Sequence, residues 1–152
     1  MSNNSSAASP TTSRIARWPS WLLAAARILV GLFFASAGLP KLIQHASYVP
    51  SFEHWQVPFP GLSVFAVGLL ETIGGILLVV GVAAVPVAAL LLVDMLAAFG
   101  FAGTKDGGQY IVLPLLLGIF CALFTLRGGG AWQLWARVPP LFHRSGKTTA
   151  QL

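Results

Sequence analysis

Four apolar runs account for most of this chain, and each is long enough to cross a bilayer as a helix. They are Trp21 to about Leu39, Leu62 to about Val82, Pro86 to about Ala102, and Tyr110 to Leu126. A helix rises ~1.5 Å per residue, so runs of this length match a ~30 Å hydrocarbon core. Only 9% of the 152 residues are charged, against about 25% in a soluble domain. So few charges cannot cover a water-facing surface of this size. The sequence therefore predicts an all-α membrane protein: one transmembrane domain over residues 21–127, a four-helix bundle whose first partner is the lipid bilayer.

The flanks predict an orientation. Residues 1–20 are rich in Ser, Thr, Asn and Ala and carry Arg14 and Arg17. They read as a disordered tail, because they hold too little apolar surface to fold alone. Residues 128–152 read as a second tail. Trp132 and Trp135 stand where an interfacial belt would lie, among Arg127, Arg137, Arg144 and Lys147. The two connections on the other side hold one basic residue each, Lys41 and Lys105. By the positive-inside rule both termini are expected in the cytoplasm. The chain is then a multi-pass protein of the cell membrane, the inner membrane in a Gram-negative cell. The net charge of +5 suits an anionic lipid surface, and no nucleic-acid partner is expected. Ala35-Ser36-Ala37 has the form of a signal-peptide cleavage site. Arg27 would then sit inside the hydrophobic region, and the run continues to Leu39, so the segment reads as a retained span. The connection from Leu42 to Gly61 sets Tyr48, Phe52, Trp55 and Phe59 among Pro50, Pro58 and Pro60. It is expected to form a partly re-entrant cap at the outer interface.

Three ionisable residues fall inside the spans: Arg27, Glu71 and Asp94. Each costs about 2.5–3.5 kcal/mol or more at the centre of an isolated helix, so such groups usually face the bundle interior. At 100° per residue, Arg27 shares a face with Ala24, Gly31, Ala35 and Gly38. Glu71 shares one with Val64, Gly68 and Gly75, and Asp94 one with Val87, Ala97 and Ala98. These are small-residue faces of the kind on which membrane helices approach closely. The fourth helix has a similar face in Pro114, Gly118, Cys121 and Thr125. The three charges are expected to point inward, with Arg27 reaching either carboxylate. Such a cluster either fixes helix register as a buried ion pair or forms a site for a polar headgroup or a proton relay.

Other chemistry is sparse. Cys121 is the one cysteine, so no internal disulfide or CxxC redox pair exists, and it reads as a small packing residue. His45, Glu53 and His54 share the outer connection but make a weak ligand set, and no metal is expected. No histidine lies in mid-span to ligate a haem. Gly128-Gly129-Gly130 lacks the Lys and Ser/Thr of a phosphate-binding loop. No covalently bound cofactor is expected, so any redox role would need a lipid quinone or a partner protein.

Two stretches carry a resemblance. One runs Arg27-Ile-Leu-Val-Gly31-Leu-Phe-Phe-Ala-Ser-Ala37-Gly38-Leu-Pro-Lys41-Leu42, the other Leu70-Glu71-Thr-Ile-Gly74-Gly75-Ile-Leu-Leu-Val-Val-Gly81. An arginine, a glycine and an A-G-x-x-K segment in the first helix, followed by E-x-x-G-G in the second, resemble the DoxX family of small bacterial membrane proteins over about residues 22–127. The resemblance implies a four-helix membrane bundle. It also implies an accessory place in a membrane redox or oxidative-stress complex, since the family takes its name from a subunit linked to thiosulfate:quinone oxidoreduction. A quinone and a membrane or periplasmic redox protein are the partners it suggests. It marks Arg27, Lys41 and Glu71 as functional positions, with Gly31, Gly38, Gly74 and Gly75 as motif glycines and Asp94 matched more loosely. The non-redox alternative is a membrane binding protein, such as a small-molecule carrier or an assembly chaperone.

The orientation is directly testable. A reporter active only in the cytoplasm should be active when fused after Leu152 and silent at Ser51. Activity at Ser51 would invert the topology.

Overall fold

The computed structural model describes residues 20–128. Four helical stretches in it are long and apolar enough to cross a membrane: Ser20–Ile43, Pro60–Val80, Ala84–Asp106 and Gln109–Arg127. Both tails lie outside the described residues, as do Arg14, Arg17, Trp132, Trp135, Arg137, Arg144 and Lys147. Helix α1 is Ser20–Ile43, α2 His45–His54, α3 Pro60–Val80 and α4 Ala84–Ala98. A π-helical turn at Phe99–Gly103 leads into the short α5, Thr104–Asp106. Helix α6 is Gln109–Arg127. No strand occurs among the described residues.

The four spans match the four apolar runs, with two differences at the α2 end of the bundle. First, α1 does not stop before Pro40 but continues through it to Ile43. Proline removes one hydrogen bond from a helix, and membrane helices tolerate the loss because neighbours re-satisfy the freed backbone. Lys41 is thereby a helical residue rather than a loop residue. Second, the connection expected to be broken by proline is itself helical over α2. Pro50 and Ala46, the residue whose carbonyl loses its donor to that proline, are both exposed, so the missing bond falls on the open side. Phe52, on the opposite side, is buried.

The turn between α3 and α4 is short. Gly81 and Ala83 both have positive φ, 80° and 49°, and Gly81 donates to the Leu77 carbonyl to close α3. This turn makes the two helices antiparallel neighbours. Pro86 lies in the first turn of α4, where its missing N–H is not needed.

Lateral packing divides the bundle into two pairs. Helix α1 lies closest to α3, and α4 to α6; the pairs touch each other more lightly. Glycines set the α1–α3 contact. A Cβ on Gly75 would meet the Gly31 carbonyl oxygen and the Ala35 nitrogen at 2.5 Å each. One on Gly31 would meet the Gly75 oxygen at 2.7 Å, and one on Gly38 the Thr72 nitrogen at 2.6 Å. Gly68 packs on Lys41 and Leu42. These contacts define one antiparallel register, in which backbone meets backbone as small residues in membrane helices allow. The α4–α6 side joins the core through Phe34, Leu78, Ala88, Leu91, Leu117, Cys121 and Phe124. Leu29, Leu32, Leu62, Ile76, Leu90, Val93, Val112, Leu115 and Ile119 are exposed. This apolar exterior belongs against lipid acyl chains.

The seam predicts a graded response to added methyl groups. Gly75→Ala forces two backbones apart and should lower stability by about 1–3 kcal/mol, the usual range for overpacking. Gly74 faces only the Leu91 side chain at 3.3 Å, and Gly100 has nothing within 4 Å. Gly74→Ala should cost less, and Gly100→Ala should stay within about 0.5 kcal/mol of the parent. Thermal unfolding of the three variants in one detergent checks the order.

Candidate functional site

The site begins with the α1–α3 register. Gly38 seats α1 directly on the Glu71–Thr72 turn of α3. Lys41 follows one turn later on the same side, and its Nζ donates to the Glu71 carboxylate in a salt bridge. The ammonium also approaches the Ala37 carbonyl at 3.4 Å. Both partners are largely out of solvent, at 16% and 6% side-chain exposure, so this pair is far less screened than a surface ion pair.

The expected Arg27–Glu71 pair is therefore corrected: Glu71 is paired with Lys41. Arg27 is buried on α1, one turn before Gly31, which packs on Gly75 and Val79. It stands eleven residues from Gly38, roughly 16 Å along the helix, beyond the reach of a guanidinium to Glu71. Depth counted from each helix end misses this separation, because Pro40 does not end α1 and Glu71 therefore meets its C-terminal end. Lys41 and Glu71 were nonetheless both marked by the motifs A-G-x-x-K and E-x-x-G-G.

A cavity of about 800 Å³ lies beside this pair, between the α1–α3 and α4–α6 pairs and beneath α2. Its only charged lining residues are Lys41, Glu71 and Asp94; most of the remaining wall is apolar or aromatic. Asp94 comes from α4 and is 8% exposed, and its Oδ2 is buried without a hydrogen-bond partner. Two of the three expected charges, Glu71 and Asp94, thus meet in one cavity with Lys41 as the cation. Arg27 is not among its lining residues. Of the motif glycines, Gly31, Gly38 and Gly75 form the seam, and Gly74 packs against Leu91 of α4.

The cap roofs this cavity with aromatic rings. Trp55 stacks at a tilt on Phe52, with centroids 5.4 Å apart, and meets Tyr110 edge-on at 5.3 Å. Polar bonds tie the end of α2 to α5. The Trp55 indole donates to Asp106 Oδ2 at 2.6 Å, and His54 Nε2 lies 2.9 Å from Asp106 Oδ1. Lys105 donates to the Gln56 side-chain oxygen at 2.8 Å. His45 Nε2 is hydrogen-bonded to the Gly61 carbonyl oxygen at 2.7 Å. His45 and His54 thus have separate partners, and among the described residues no group of three metal-ligating side chains forms. The role of the cap in closing a cavity was not visible in its sequence; the density of aromatic residues between Tyr48 and Phe59 was the available signal.

A double-mutant cycle tests the corrected pairing. Removing one partner of a buried ion pair costs about 3–5 kcal/mol, because the other charge is left uncompensated. Lys41→Met and Glu71→Leu should each cut folded yield sharply, and the double variant should recover much of it. Arg27→Leu combined with Glu71→Leu should instead be additive. Recovery in the Arg27 pair and none in the Lys41 pair would restore the original assignment.

Set beside known proteins, residues 22–104, more than half of the chain, match the family model described as DoxX. No curated protein and no solved structure matches the chain.

Proposed function

The chain belongs to the DoxX family, and we propose that it serves as an accessory membrane subunit of a redox or oxidative-stress complex, holding a quinone-type carrier in its cavity. The observation that carries this reading is the cavity itself. Its volume of about 800 Å³ falls in the range that holds drug-sized ligands, and such sites join apolar walls to a few convergent polar groups. The aromatic and aliphatic walls suit a ring and its hydrocarbon tail. The polar group at one place suits a headgroup: an ammonium has three N–H donors, and Lys41 directs two of them at Glu71 and Ala37. The third is open to a ligand carbonyl.

The charged groups that line the cavity are Lys41, Glu71 and Asp94, an ammonium and two carboxyls suited to hydrogen-bonding a ligand. In this reading the residues bind and orient, and electrons would pass to or from a membrane or periplasmic partner. A packed interior beside Glu71 would have favoured a purely structural role. The open space there favours binding.

The test is ligand retention. Purified into nanodiscs lacking quinone, the protein should bind a decyl-substituted benzoquinone saturably, at one molecule per chain, by calorimetry. Ala66 lines the cavity, and Ala66→Trp should fill it and abolish binding while the helical content stays unchanged. Glu71→Gln should weaken binding about tenfold or more, equivalent to ~1.4 kcal/mol, whereas His45→Ala should leave it unaltered. Absence of saturable binding would remove the quinone reading. Capture from native membranes of partners with no redox centre would support the alternative, a non-redox carrier or assembly chaperone.

A further inference from the structure

The charged part of the cavity is uneven in hydrogen-bonding terms. Glu71 receives the Lys41 ammonium. Asp94, more than nine-tenths buried and lining the same cavity, has an oxygen that receives nothing. A buried acceptor left unmade is costly, and far more so when it belongs to a carboxylate. The Lys41 ammonium donates to Glu71 and the Ala37 carbonyl, and the Thr125 hydroxyl on α6 to the Cys121 carbonyl.

Resting on the cavity reading above, we infer that the occupant presents a hydrogen-bond donor to Asp94 Oδ2: a hydroxyl or a protonated amine on an aromatic or apolar body. A quinone offers only carbonyl acceptors, and its reduced form offers hydroxyls. For a redox carrier the inference therefore selects the hydroquinone over the quinone. The choice is that of an ionised Asp94. An ionised Asp94 accepts from a hydroxyl and repels a carbonyl. A protonated Asp94 bonds either one. Lys41 can hold a second oxygen of the same ligand through its remaining N–H, so one end of the cavity offers a donor and an acceptor side by side.

The experiment compares three probes on the full chain in quinone-free nanodiscs under anaerobic conditions. They are a decyl benzoquinone, the matching decyl hydroquinone, and para-decylbenzylamine. The hydroquinone should bind about tenfold more tightly than the quinone, the scale of one well-made hydrogen bond to a buried acceptor. Tighter binding of the amine than of the hydroquinone identifies a cationic head; the reverse order identifies a neutral hydroxyl. Asp94→Leu should bring hydroquinone and quinone affinities together. Asp94→Asn, which introduces two N–H donors, should move the preference toward the quinone. Equal affinities in the unmodified protein would overturn the donor inference while leaving the cavity reading in place. Failure of all three probes to bind would overturn both.

Discussion

Everything near the cavity depends on how closely α1 and α3 approach. Three of their glycines leave no room for a Cβ, so the helices meet backbone to backbone over the stretch from Gly31 to Gly38. In a bilayer there is no hydrophobic driving force between helices, and association rests on such packing and on polar contacts. The seam supplies the packing. It also fixes the register that sets the Lys41 ammonium against Glu71. A slip of one turn in either direction would separate the two charges within a medium that solvates neither.

The second pair of helices is arranged differently. Helices α4 and α6 meet through side chains such as Leu91, Leu117, Cys121 and Phe124, and they stand off from the first pair toward the cap. A bundle built of one tight pair and one looser arrangement does not close uniformly. The space that results is polar only where Lys41, Glu71 and Asp94 meet and is otherwise apolar. Its roof is held by exposed bonds to Asp106 together with the buried Phe52 ring.

The number and placement of the spans were legible because lipid demands long apolar runs, and Gly81, Gly107, Gly108 and Gly128 punctuate them. The inward direction of Glu71 and Asp94 was legible too, because each shares a helix face with small residues. The partner of Glu71 was not. Pairing across helices depends on register, and register depends on which glycines touch, a property of two surfaces rather than of either helix alone. The rule that proline ends a helix also misled at Pro40 and Pro50. It holds where water competes for freed backbone groups and weakens where neighbouring protein or an open face takes them up. The cavity could not be read from the chain at all, since a void belongs to no residue.

The tight pair is also made of two consecutive spans that leave the ribosome before α4 and α6, with only the short α2 between them. Inserted singly, a span carrying a lysine or a glutamate would enter lipid at a cost of about 2.5–3.5 kcal/mol for a central charge. Inserted as a hairpin, α1 and α3 bring opposite charges together at the moment of entry. The glycine seam is therefore an assembly device as well as a packing motif. It lets the membrane accept the Lys41 and Glu71 charges as one paired unit, before the helices that complete the cavity have been synthesised.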